Sequence, residues 1–136
     1  MFEARISQGL EALSIPFADD QVARLADYLR LLQKWNKIYN LTAIDDERKM
    51  VAYHLLDSLA IHSAIPEQAR CLDVGTGAGL PGIPLAIMLP QTNWVLLDSN
   101  GKKTRFVQQA IAGCGLGNVK VVQARIQDYD ADSSFD

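Results

Sequence analysis

Long apolar runs are missing from this chain of 136 residues. No stretch approaches the ~20 consecutive apolar residues of a membrane span. Glu3 and Arg5 stand where a secretory signal would place an apolar core. A cytoplasmic protein without membrane association is therefore expected. Cysteine is scarce, with Cys71 in a predicted strand and Cys114 beside Gly113 and Gly115. Both read as reduced thiols packed in a core rather than as a disulfide. No Cys/His cluster has metal-ligand spacing, so no metal is expected. An excess of positive charge is also absent: 13 Lys and Arg stand against 16 Asp and Glu, a net charge of −3. That balance does not mark a nucleic-acid binder. Any contact with RNA has to be a local patch, and the candidates are Lys34 with Lys37, Arg48 with Lys49, and Lys102, Lys103 and Arg105. Taken alone, each reads as a solvated helix face. A nucleophile-base-acid constellation is missing too, so no catalytic residue is assigned.

What is present is a glycine-rich stretch, Cys71-Leu72-Asp73-Val74-Gly75-Thr76-Gly77-Ala78-Gly79-Leu80-Pro81-Gly82. A short apolar strand delivers an acid into a turn that then opens a helix, the way an open α/β sheet builds a nucleotide-cofactor pocket. Glycines allow a sharp turn at positive φ and leave room for a ligand against the main chain. The pattern Asp-x-Gly-x-Gly-x-Gly points to S-adenosylmethionine more than to a dinucleotide. Asp73 can face the ammonium of that cofactor or a water beside it, and N–H groups of the turn can face its carboxylate. Gly77-x-Gly79-x-x-Gly82 also matches the dinucleotide fingerprint, and Asp98, 19 residues after Gly79, suits either cofactor because both carry a ribose. Asp73 ahead of the glycines would repel a pyrophosphate. Pro81 and Pro84 stiffen a helix start where a diphosphate would want free donors. A tight turn with no ligand is the third reading.

Composition, with 49% apolar residues, suits one core and one domain, with room for a helical appendage. Ile6, Leu10 and Leu13 fit one face of a short helix ended by Pro16. Asp19 and Asp20 suit the start of a second helix, where Val22, Leu25, Leu29, Leu32, Trp35 and Tyr39 recur at spacings of three and four. Asn40-Leu41-Thr42 breaks that pattern. Asp45 and Asp46 can begin a third helix running to about His62, on which Met50, His54, Asp57 and Ile61 share a face. The second half alternates: strand 70–74, helix 81–89, strand 92–98, helix 101–112 and strand 118–124. Alternation of this kind predicts right-handed crossovers and a parallel sheet, with cofactor residues at the carboxyl ends of the strands. Asp73, Asp98 and Arg125-Ile126-Gln127 occupy those ends. Asp98 can accept bonds from both ribose hydroxyls, or it can cap the following helix. Ile126 can lie on an adenine face or belong to the core, and Gln127 can meet the adenine edge.

Four segments occur in order: Lys34-Trp35-Asn36-Lys37-Ile38-Tyr39-Asn40-Leu41-Thr42, His54-Leu55-Leu56-Asp57-Ser58, Asp73 through Pro84, and Leu97-Asp98-Ser99. The chain resembles the ribosomal RNA small-subunit methyltransferase G family, also called glucose-inhibited division protein B. The glycine motif is shared by many methyltransferases; its combination with the tryptophan-asparagine segment and the Leu-Pro-Gly-Ile-Pro tail is much more specific. The resemblance covers nearly the whole chain. It implies an α/β fold, a class I S-adenosylmethionine-dependent methyltransferase (Rossmann-like) parallel sheet, of which the chain holds the first half. Residues 1–66 would form an N-terminal helical region packing on that core, and residues 67–136 the half-domain before strand four.

The resemblance also implies a bacterial, cytoplasmic enzyme that methylates N7 of a guanine in 16S ribosomal RNA, with S-adenosyl-L-methionine as donor. Its partner would be that RNA or the small ribosomal subunit. Cofactor contacts carried over onto this sequence fall at Gly75, Gly77, Leu80, Asp98, Ile126 and Gln127. Asp73, Thr76, Gly79 and Ser99 complete the expected cofactor site, and Asn40, His54 and Arg125 are the candidates for the substrate side, with Asp57 one turn from His54 to hold its ring. Guanine N7 carries a lone pair and no proton, so its methylation requires alignment and a suitable field rather than a general base. In the family a Phe-Asp pair like Phe135-Asp136 leads into a fourth strand, so residues 1–136 are expected to be a fragment with an open first-strand edge and an incomplete pocket. The intact protein is expected to be a monomer. A small-molecule methyltransferase and a non-catalytic RNA-binding or partner-binding fragment are the alternatives.

Overall fold

The computed structural model describes residues 2–130 and 135–136. Its element order is α1 (Phe2–Ala12), α2 (Asp19–Tyr39), α3 (Glu47–Lys49), a π-helical stretch (Met50–Leu56), α4 (Asp57–Leu59), a 3-10 turn (His62–Ala64), β1 (Arg70–Val74), α5 (Gly82–Met88), β2 (Asn93–Asp98), α6 (Gly101–Cys114), β3 (Val119–Gln123) and a 3-10 turn (Ile126–Asp128). The three strands form a parallel sheet in the order β1-β2-β3. The expected α/β alternation is thus present, with boundaries shifted by one or two residues. Both crossovers advance in the same direction, so right-handed crossing puts α5 and α6 on one face. β2 is central and almost wholly buried, as its run Trp94-Val95-Leu96-Leu97 requires.

The helical half covers that face. Val22, Leu25, Leu29 and Leu32 of α2 are buried along one stripe, and each such side chain contributes roughly 1.5–3 kcal/mol. Asp19 and Asp20 lie in the first turn of α2 and Lys37 in the last, matching the helix dipole at both ends. Trp35 packs edge-on against Phe106 of α6 at 5.7 Å between centroids, and Tyr28 packs on the same ring at 6.1 Å. The Cys114 thiol at the far end of α6 points at the Arg24 carbonyl, so α2 and α6 run antiparallel. Buried side chains from α1, α2, the π-helical stretch, α5, β2 and α6 belong to a single cluster. Cys71 and Cys114 are both buried in it as free thiols. Burial pushes the Cys114 thiol pKa up to about 11 and raises that of Cys71, which keeps both unreactive.

Three expectations are corrected. Helix α1 stops at Ala12, four residues ahead of Pro16, because Ser14 takes a left-handed conformation (φ 58°); Leu13 consequently falls outside the core face, 41% exposed. The single third helix is instead a short α-turn, a seven-residue π-helical stretch and a second α-turn. The i→i+5 bonding of that stretch adds residues to each turn and rotates the side chains beyond it. Met50 and His54 are therefore buried, while Asp57 and Ile61 face outward rather than sharing their side. Tyr39, expected in the core stripe, is 42% exposed at the end of α2.

β1 lies at the edge of the sheet, and Val74 at its carboxyl end is exposed. At its opposite end the Arg70 N–H donates to the Asp136 carboxylate, the Asp136 N–H donates to the Arg70 carbonyl, and the Arg70 guanidinium lies over the Phe135 ring. Among the described residues, no helix is long and apolar enough to cross a membrane.

Candidate functional site

Parallel register brings the carboxyl ends of the strands together. Asp73 is opposite Leu96, Val74 opposite Leu97, and Asp98 opposite Gln123. A cleft of ≈ 400 Å³ opens there, lined by Val74, Gly75, Leu97, Asp98, Ser99, Ala124, Arg125 and Ile126. Four expected cofactor residues (Gly75, Asp98, Ser99, Ile126) and one expected substrate residue (Arg125) line it. A larger hollow of ≈ 440 Å³ lies at the opposite end of the strands, between residues 65–68 and 88–92. Ligands of open α/β sheets bind beyond the carboxyl ends of the strands, so the first cleft is the candidate site.

Side chains from three elements hold the glycine turn. The Asp73 Oδ2 accepts from the Thr76 hydroxyl at 2.8 Å and from the Gly82 N–H at 3.1 Å. Burial raises the Asp73 pKa, and those two donors oppose the rise. From β2, the Asp98 carboxylate accepts from the Gly77 N–H at 2.8 Å through one oxygen and from the Asn100 N–H at 2.8 Å through the other. From α2, the Tyr28 hydroxyl donates to the Ala78 carbonyl at 2.7 Å. Tyr28 is fully buried, and that burial, its largest cause, raises the phenol pKa, so the group stays a donor. The spacing of the α2 stripe places a buried contact near Tyr28 but gives no sign that its hydroxyl reaches the turn.

Gly75 and Gly77 have φ of 69° and 60°, and a Cβ on either would meet nothing within 4 Å. They are glycine because of their backbone angle, and the space beside them is open. At Gly82 the requirement is close approach: a Cβ there would collide with Leu96 Cδ2.

The other expected residues fall into place differently. Thr76 is buried on Asp73, and Gly79 packs against Ile83. Leu80 is half-buried among the core-packing residues, outside the cleft lining. Ile126 and Gln127 lie in the 3-10 turn, both exposed, with Ile126 reaching the cleft and Gln127 beside it. The turn's N–H groups, expected to face a ligand carboxylate, are engaged within the chain: Gly75 and Thr76 donate to the Leu97 carbonyl, Gly77 to Asp98 and Leu80 to the Thr76 carbonyl. The turn folds back onto the end of β2, which uses up those donors. With Asp73 and Asp98 both directed at the turn, it is poorly suited to a pyrophosphate, and the dinucleotide alternative loses its main support.

On the substrate side, Asn40 is exposed and caps α2 in a left-handed conformation (φ 50°). His54 is buried, and its ring partner is the Thr42 hydroxyl at 2.9 Å rather than Asp57, which the π-helical rotation turns outward. Burial lowers the His54 pKa. The Asn36 side chain accepts from the Thr42 N–H at 2.8 Å, so the break after α2 is tied to both the helix and His54. Among the described residues, no group of three or more His, Cys, Asp or Glu is placed to hold a metal ion.

Residues 21–136 match the family model described as rRNA small subunit methyltransferase G. The chain is similar to proteins named ribosomal RNA small subunit methyltransferase G from Hydrogenovibrio crunogenus (50% identity, covering 100% of this chain and 62% of the relative), Nitrosococcus oceani (52%, covering 96% and 61%) and Hahella chejuensis (50%, covering 97% and 60%). The chain spans about three fifths of the length of these curated relatives. A glycine turn clamped between two strand-end acids, on a parallel sheet preceded by helices, is thus found in a chain that belongs to the rRNA small subunit methyltransferase G family.

Proposed function

We propose that this chain carries the donor-binding half of an S-adenosylmethionine-dependent methyltransferase that modifies N7 of a guanine in 16S ribosomal RNA in the cytoplasm. The observation that carries the reading is the open space beside Gly75 and Gly77 next to Asp98. The residues present fit the cofactor. Each Asp98 oxygen accepts one backbone N–H, and a carboxylate offers about four lone-pair sites, so one per oxygen remains for a ribose diol. Ile126, 48% exposed at the cleft, offers an apolar surface for adenine, and Gln127 a polar group for its edge. Ser99 lines the mouth beside the ribose position. Leu80, Thr76, Gly79 and Asp73 act by shaping the turn.

When bound, S-adenosylmethionine supplies an electrophilic methyl group on a sulfonium. The chain's own task is to align the acceptor and keep water out, since a ring nitrogen with a free lone pair needs no proton removed. Arg125, exposed at the cleft, can hold a phosphate or a base edge of the incoming RNA. His54 and Asn40 flank the break after α2, where His54, its pKa lowered by burial, stays neutral near pH 7 and adds no charge.

Calorimetry with S-adenosylhomocysteine tests the donor site. The chain is expected to bind it, and Asp98→Ala is expected to weaken binding at least about tenfold, the loss of one or two charge-assisted hydrogen bonds. Equal affinity in Asp98→Ala would remove the ribose assignment, and no binding by the folded chain would overturn the donor site as a self-sufficient unit. Transfer of labelled methyl to small ribosomal subunits by the chain extended to the length of its relatives tests the substrate.

A further inference from the structure

Two packed helices carry cations at adjoining ends where their own sequences place no acid. Helix α6 holds Lys102, Lys103 and Arg105 and no Asp or Glu. After Asp27, α2 holds Arg30, Lys34 and Lys37 and no acid. Arg30 is paired with Asp27 and Glu3, whereas no ion pair forms at Lys34, Lys102 or Lys103 among the described residues. Because α2 and α6 are antiparallel and joined through Trp35 and Phe106, the end of α2 lies beside the start of α6. Lys102 Nζ sits 5.9 Å from the Tyr39 ring centroid, and Tyr39 and Ile38 are 42% and 70% exposed there. Asn100 caps α6 by accepting from the Lys102 and Lys103 N–H groups, only two residues after Asp98. A basic, aromatic strip therefore begins at the mouth of the cleft, in a chain whose net charge is −3.

We propose that this strip, centred on Tyr39, Lys102 and Lys103, is a docking surface for single-stranded RNA, with the lysines on phosphates and the Tyr39 ring under a base. Interleaved cations and exposed aromatics are what an unpaired strand requires, since phosphates pair with ammonium groups and bases stack on ring faces. The exposed Tyr39 ring and the Lys102 ammonium above it form such a unit. The surface rests on the RNA-modifying reading above and extends it: RNA held here would run past Ser99 and Asp98 into the cleft.

Binding of a fluorescein-labelled, 20-nucleotide unstructured RNA by fluorescence anisotropy, across a KCl series, tests the surface. Calorimetry with S-adenosylhomocysteine on the same samples tests the donor site separately. The double variant Lys102→Glu, Lys103→Glu is expected to bind RNA at least about tenfold more weakly, with a salt slope shallower by about 1.4, since each phosphate contact contributes about 0.7. Tyr39→Ala is expected to lose about fivefold or more with its salt slope unchanged, as lost stacking would produce. The control Arg24→Glu, Lys120→Glu, with both residues exposed, is expected to stay within about twofold, because it removes no contact of the strip. S-adenosylhomocysteine affinity is expected to be the same in all of them. Wild-type affinity in the double variant, an equal loss in the control, or equal competition by polyglutamate would each overturn the RNA surface. Failure of S-adenosylhomocysteine binding with strip-dependent RNA binding intact would overturn the donor site and leave the surface standing.

Discussion

Tyr28→Phe removes one oxygen from the middle of the protein and leaves everything else in place. The ring stays against Phe106, so no cavity forms. What is lost is the 2.7 Å bond to the Ala78 carbonyl, an acceptor in a residue only 6% exposed. A buried carbonyl stripped of its donor costs about 1–3 kcal/mol. That is a large share of the roughly 5–15 kcal/mol that holds a typical domain together. Urea unfolding followed by tryptophan fluorescence is expected to show a lower midpoint with an unchanged slope, because no additional surface is exposed. The thermal midpoint is expected to fall by about 4 °C per kcal/mol. S-adenosylhomocysteine affinity is expected to fall as well, since the carbonyl lies between Gly77 and Gly79. A stability loss below about 0.5 kcal/mol, well under the desolvation cost of an orphaned carbonyl, would refute the reasoning. It would mean that Ala78 finds another donor and that α2 does not hold the turn.

Gly82→Ala is expected to destabilise by about 1–3 kcal/mol through overpacking, because its Cβ would collide with Leu96 Cδ2, and Leu96 is fully buried. Gly75→Ala is expected to cost only about 1–2 kcal/mol of backbone strain at φ 69°, yet to weaken S-adenosylhomocysteine binding, and chemical denaturation beside calorimetry separates the two effects. For His54, burial holds the folded pKa below its ordinary value of 6.5. The unfolded chain therefore takes up a proton that the folded chain resists. Stability is full above about pH 6.5 and declines as the pH falls from there through the lower folded value. Urea midpoints at pH 7.5 and 5.5 are expected to differ more in the wild type than in His54→Gln, and equal differences would show that His54 contributes nothing to the decline.

The sheet is legible in the sequence because its signals are local. Strands rich in Val and Leu alternate with short helices, and the glycine turn and Asp98 fall at strand ends by spacing alone. The Asp73 and Asp98 clamps are legible as positions but not as partners: a carboxylate read from sequence does not reveal that backbone N–H groups will meet it first. Periodicity misreads the third helix because a π-helical stretch has no compositional mark, and its extra residues per turn rotate Asp57 and Ile61 away from Met50 and His54. Thr42 as the partner of His54 depends on the left-handed cap at Asn40, a tertiary placement that periodicity does not encode. Leu13 fits a helical stripe that the turn at Ser14 cuts short.

Helix α2 runs unbroken for 21 residues. It grips the glycine turn through Tyr28 and ends at Asn40, and at 1.5 Å per residue those points are separated by about 18 Å along its axis. The helix thereby acts as a gauge, fixing the offset between the turn proposed to cradle a methyl donor and the rim proposed to receive an RNA strand. One residue inserted between Tyr28 and Asn40 would lengthen that gauge by about 1.5 Å and turn its tip by about 100°, leaving each half of the site well formed but out of alignment with the other.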